Sequence, residues 1–196
     1  MIISMYKICV TNRHLCEGDF LNQIEKICRE KSADAIILRE KDLTENEYKK
    51  LAESVTELCQ KYHVECILHT FVQTAISLGT RNIHVPIPVL LRMSEEEKKH
   101  FDKIGTSCHS VEDALFAEKN GCSYIVAGHI FETDCKRGVP ARGINFLNHI
   151  IEKVNIPVFA IGGINDKTVG LLTDMDISGI CMMSEYMKGS ALVSHV

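Results

Sequence analysis

Eight short apolar runs, each trailed by a polar or amphipathic stretch, leave this chain few ways to fold. The runs occupy positions 6–11, 35–39, 66–69, 82–85, 104–108, 124–128, 157–161 and 179–183. Ile36-Ile37-Leu38 and Tyr124-Ile125-Val126-Ala127 are apolar throughout, the pattern of parallel strands covered on both faces. Parallel neighbours need a crossover, and the intervening segments read as helices. Thr44 caps one over 45–62, with Glu47 completing a capping box and Leu51, Val55 and Leu58 along one face. Ser110 starts another, with Ala114, Leu115 and Ala117 turned inward and Gly121 just past its end. Ser94 precedes a helix over 95–100 and Asn165 one over 166–173, and segments 19–29 and 144–154 complete the set.

Eight such units in 196 residues leave about 24 residues each, which suits a compact (β/α)8 TIM barrel. No linker, low-complexity tract or charge run divides the chain, so residues 1–196 are expected to form a single domain. A doubly wound open sheet would want a glycine-rich turn after the first strand, where the chain reads Thr11-Asn12-Arg13-His14. Little chain follows the eighth run, so the last helix must be short.

Composition narrows the function classes. Lys and Arg number 22 against 26 Asp and Glu, a net charge of -4 with no basic footprint for nucleic acid. No apolar run nears the roughly 20 residues of a membrane span. The start, Met1-Ile2-Ile3-Ser4-Met5, lacks a secretory pattern, so a cytoplasmic protein is expected. The nine cysteines include no pair separated by two residues, the spacing zinc sites use, and read as reduced, mostly buried thiols. Homo-oligomerisation is left open.

In a barrel the chemistry gathers where strands end and helices begin, and those ends are polar here. Arg39 and Lys41 follow the second strand as a fork and a point charge for an anion, although Glu40 and Asp42 weaken their field. Gly162-Gly163 after the seventh strand, directly before a helix, lets backbone N–H groups approach an anion closely, and Ser184 follows the eighth. His129, between Gly128 and Phe131, is the leading candidate to take and return a proton near neutral pH, with Thr133, Asp134 and Lys136 as polar neighbours. His69, His84 and His109 are weaker candidates, and no strand pairs them as zinc ligands.

The segments Leu38-Arg39-Glu40-Lys41, Ile104-Gly105-Thr106-Ser107-Cys108-His109-Ser110, 128–136 and 157–164 together resemble the thiamine phosphate synthase superfamily along essentially the whole chain. The loop Gly128-His129-Ile130-Phe131-Glu132-Thr133-Asp134-Cys135-Lys136-Arg137-Gly138, followed by Arg142-Gly143, is similar to that of the thiazole tautomerase branch, TenI. A synthase reads Gly-Pro-x-Phe-x-Thr-x-Thr-Lys there. The resemblance implies a phosphorylated thiazole as ligand. It places Arg39 and Lys41 at a pyrophosphate, Gly162, Gly163, Met183 and Ser184 at the thiazole phosphate, and Ser107 and Thr133 to Lys136, with Cys135, about the reactants.

Synthases of this resemblance hold magnesium with an Asp after the third strand and another after the fourth. Here those places read His69-Thr70-Phe71 and Ile83-His84-Val85-Pro86-Ile87-Pro88, with no carboxylate. The expectation is therefore a thiazole tautomerase, an isomerase with His129 as its acid/base and no metal or cofactor. Thiamine phosphate synthase, a transferase, is the alternative enzyme, and a non-catalytic binder of thiazole or thiamine phosphates is the alternative outside catalysis.

Overall fold

The computed structural model describes residues 5–136 and 138–189. Met1 to Ser4, Arg137 of the loop motif and the tail beyond residue 189 lie outside them. Eight strands run β1 (Tyr6–Val10), β2 (Ala35–Leu38), β3 (Glu65–His69), β4 (Asn82–His84), β5 (Lys103–Cys108), β6 (Tyr124–Gly128), β7 (Val158–Ile161) and β8 (Gly179–Met182). Each pairs in parallel with the next, and β8 closes on β1 with Tyr6 opposite Gly179 and Ile8 opposite Cys181. The expected (β/α)8 barrel is the fold observed.

The helices are α1 (Phe20–Glu30), α2 (Glu45–Tyr62), α3 (Val72–Ser77), α4 (Ile87–Leu90), α5 (Glu95–His100), α6 (Val111–Lys119), α7 (Gly143–Ile151) and α8 (Ser184–Met187). Both halves of the Thr44–Glu47 and Ser94–Glu97 capping boxes form, and the Ser110 side chain accepts from the Asp113 amide. Among the described residues the last helix is four residues long, short as expected. Among the described residues no helix is long and apolar enough to cross a membrane.

Alternation along the strands divides the core in two. One set, including Ile36, Leu38, Leu68, Ile83 and Ile125, faces the helices. The other, including Ile8, Val10, Ile37, Ile67 and Val126, fills the barrel. Tyr6, Tyr124 and Phe159 plug its lower end, with Phe159 edge-on to both tyrosines at 6.0 and 5.7 Å. A Cβ at Gly105 would lie 2.0 Å from the Tyr124 ring, so the glycine in β5 makes room for that plug.

Two expectations are corrected. Leu115 is 44% exposed, because Ala114 and Ala117 alone occupy the inward stripe of α6. The helix expected over 166–173 is only a 3-10 turn, Val169–Leu172. Thr168 directs its hydroxyl to the Gly163 carbonyl, and Gly170 and Thr173 are poor helix formers. The segments that became α3 and α4 were too short to show helical periodicity. All nine cysteines are free thiols: six are buried, Cys16 and Cys66 are half-buried and Cys135 is exposed.

Candidate active site

The C-terminal ends of the strands open on one cavity of about 860 Å³. Every residue singled out in the sequence reaches it. Arg39 and Lys41 arrive from the end of β2, Ser107 from β5, and His129, Thr133, Cys135 and Lys136 from the end of β6 and its loop. Gly162 and Gly163 follow β7, and Met183 and Ser184 follow β8.

The two acids beside Arg39 and Lys41 weaken their field, as Glu40 does at Arg39, but both are bound elsewhere. Glu40 is buried and accepts from the Thr11 hydroxyl at 2.6 Å and from the Arg13 amide and guanidinium at 3.1 Å. Asp42 is bound by Arg13 and by His14, whose Nε2 lies 3.0 Å away, and Arg13 holds its carboxyl well below the usual carboxylate range. Burial pulls the ammonium pKa of Lys41 down, and Arg39 and Lys136 pull it further, so three cations share one wall. Among the described residues none of the three forms an ion pair. An anionic ligand would relieve that like-charge repulsion.

Opposite them, Gly162 and Gly163 hold φ of 103° and 64°, values that L side chains rarely adopt. Their amides, and that of Ser184, donate no hydrogen bond to protein among the described residues, which leaves three donors for an anion. The helix expected to follow the glycines is absent, so free amides rather than a helix terminus make this cradle.

His129 is buried, and the Gly128–His129 peptide is cis. Its Nε2 lies 3.1 Å from the Val139 carbonyl. A carbonyl only accepts, so Nε2 carries a proton, and in the neutral ring the lone pair is on Nδ1. His109 donates from Nδ1 to the Gly128 carbonyl at 2.8 Å, which fixes the peptide carrying His129 from the neighbouring strand.

His69 and His84 form the inner wall, their rings stacked 5.7 Å apart. Thr70 adopts φ of 69°, an outlying value for a β-branched residue, with its hydroxyl 2.6 Å from His69 Nδ1. Burial pushes the His84 imidazole down to about 3, helped by Arg39 and Lys41, and burial also holds His69 well below its ordinary value. Both rings are therefore neutral at pH 7. An unfolded chain takes up both protons below about pH 6.5, whereas the fold refuses the one on His84 down to about 3, so stability rises with pH across that window. Denaturant unfolding at pH 7 and pH 4.5 checks this: a His84→Gln variant is expected to lose less stability on acidification than the parent. Equal losses would place the acid sensitivity elsewhere.

Magnesium, implied by the synthase side of the resemblance, does not fit these donors. The ends of β3 and β4 supply two imidazoles and one hydroxyl, whereas magnesium prefers hard oxygen ligands. Among the described residues no three His, Cys, Asp or Glu side chains are placed to hold a metal ion, zinc included. Tyr124 was missed as a site residue because it reads as one position of an apolar strand; its hydroxyl lies 3.1 Å from His84 Nδ1.

The chain is 32% identical over 185 residues to "Thiamine-phosphate synthase 2" of Streptococcus pneumoniae, which covers 91% of this chain and 86% of that one. It is 30% identical over 180 residues to "Thiamine-phosphate synthase" of Clostridium tetani, with 89% and 84% covered. A solved "Thiamine phosphate pyrophosphorylase" from Pyrococcus furiosus superposes with a TM-score of 0.80 at 27% identity, over 95% of this chain and 89% of that one. By their names these relatives support the condensing enzyme rather than the tautomerase branch, which the comparisons do not distinguish. The family model for thiamine monophosphate synthase, TMP-TENI, matches residues 7–186, which take in the whole barrel and every cavity residue but Lys188, and the chain belongs to that family.

Proposed function

We propose that the cavity takes a phosphorylated thiazole and that the chain moves a proton on it, as a tautomerase of thiamine biosynthesis. The observation that carries this reading is the pair of strand ends at β3 and β4. They present neutral His69 and His84 where a metal-dependent condensation would need carboxylates. The free amides of Gly162, Gly163 and Ser184 suit the phosphate. A carboxylate on the ring suits the wall of Arg39, Lys41 and Lys136.

His129 supplies the chemistry. Its Nδ1 lone pair accepts the proton from the ring carbon, the imidazolium so formed keeps its Nε2–H bond to Val139, and the same Nδ1–H returns the proton at the adjacent position. Aromatisation of the thiazole drives the transfer, so the enzyme has only to orient and shuttle.

The condensation is the second reading, favoured by the names of the relatives and by the cation wall, which also suits a pyrophosphate. One assay separates the two. Supplied with aminopyrimidine pyrophosphate, thiazole phosphate and magnesium, the chain is expected to form no thiamine phosphate at a useful rate by mass spectrometry. Turnover of about 1 per second or more, an ordinary enzymatic rate, would replace the tautomerase reading with the synthase.

A further inference from the structure

Three side chains from three adjacent strands form a hydrogen-bonded row beneath the cavity. The Tyr124 hydroxyl on β6 meets Nδ1 of His84 on β4 at 3.1 Å. Nε2 of the same ring meets the Ser107 hydroxyl on β5 at 2.9 Å. Tyr124 and His84 are buried, while Ser107 is half-buried and lines the cavity with His84. The proton transfer described above uses none of the three.

The direction of every bond in this row follows from its inner end. Burial raises the Tyr124 phenol well above its ordinary value, so it keeps its proton. Among the described residues the only acceptor that proton meets is His84 Nδ1. Nδ1 therefore accepts, and the neutral ring must carry its own proton on Nε2. That N–H faces Ser107 and can only donate to its oxygen. With one lone pair engaged, the serine hydrogen is left to point away from the histidine, toward the cavity. His69 and the cations Arg39 and Lys41 also face His84, and the two cations oppose the imidazolium that would break this order.

We infer that Tyr124, through the fixed tautomer of His84, commits the Ser107 hydroxyl to donate a hydrogen bond to the substrate, so that the site selects heterocycles presenting an acceptor there. This deepens the reading of the cavity as a thiazole phosphate site and rests on it for the ligand. Tyr124 and His84 are positioning residues, and Ser107 is the contact. A carboxylate oxygen or an unprotonated azole nitrogen satisfies the donor, and a ring N–H at the same place does not.

The order of protons is testable without ligand. In histidine-15N-labelled protein at pH 7, the His84 ring, identified by its loss in His84→Gln, is expected to show a protonated Nε2 and an unprotonated, hydrogen-bonded Nδ1. A proton on Nδ1 overturns the inference. The consequence for binding is read by calorimetry with thiazole carboxylate phosphate. His84→Met, which frees the serine to rotate, is expected to weaken affinity by about fivefold to tenfold, the worth of one oriented hydrogen bond. His84→Gln places an amide N–H where Nε2 stands and is expected to stay within about twofold of the parent. Equal losses in both variants mean a packing role for His84 and overturn the positioning claim. If the parent has the expected tautomer but takes up no thiazole phosphate, the choice of substrate is wrong and the proton order stands.

Discussion

Replacement of His129 by Asn is expected to slow tautomerisation by about a hundredfold to ten-thousandfold, the usual contribution of one positioned acid/base group. The loss follows from the ring's two ends. Nε2 is held by the Val139 carbonyl, so only Nδ1 can exchange a proton, and an amide at this position can neither accept nor return one. Affinity for the aromatic product should change much less, since the amides of Gly162, Gly163 and Ser184 remain. A second variant guards against a mere loss of loop anchoring. His129→Gln carries its amide as far as Nε2 and can keep the bond to Val139, yet should be as slow as Asn. Single-turnover rates with product affinities check both. Full turnover in either variant would make His129 a structural residue and move the search for a proton carrier to His69, Cys135 or bound water.

Gly163→Ala is expected to lower stability by about 2–5 kcal/mol, from the left-handed backbone and the crowding together. For a chain of this size that is a fall in Tm of about 5–15 °C. From the sequence, the glycine here serves the close approach of backbone N–H groups to an anion. In the fold a side chain here collides with the protein: a Cβ at Gly163 would lie 2.3 Å from the Glu132 carbonyl oxygen and 2.8 Å from Phe131 Cβ. At Gly162 the nearest atom would be His129 Cβ, also at 2.3 Å. The two glycines thus let the β7 turn lie flat against the segment that carries His129. Thermal melts with and without thiazole phosphate separate the two effects. An Ala variant with the parent's Tm would mean that this contact is loose.

The strands were readable because each is short, apolar and bounded by polar residues, and all eight ends fall within one residue of expectation. The site was readable for a related reason: in this architecture a polar residue just past an apolar run faces the common mouth. Segment 166–173 misled because capping signals at Asn165 say nothing of a threonine hydroxyl that finds a better acceptor in Gly163. The partners of Glu40 were hidden, since its neighbours in sequence are Arg39 and Lys41 while its hydrogen bonds go to Thr11 and Arg13. The row from Tyr124 to Ser107 was invisible for the same reason. Barrel curvature brings β4, β5 and β6 together, and no local pattern marks a tyrosine in an apolar strand as facing a histidine 40 residues earlier.

Closure of β8 on β1 joins the first strand to the last, and this has a consequence for how the protein comes into being on the ribosome. Arg39, Lys41 and His129 are all translated before the Gly162-Gly163 turn exists, and Ser184 follows only after β8. A nascent chain therefore carries Arg39, Lys41 and His129 before it carries Gly162, Gly163 and Ser184, which line the same cavity. The first strand must wait for a partner more than 170 residues away, as Tyr6 and Gly179 show. Until then Ile8 and Val10 stay uncovered on one side, a stretch that a chaperone could shield. The Gly162-Gly163 turn and Ser184 are thus among the last parts of the cavity mouth to be made.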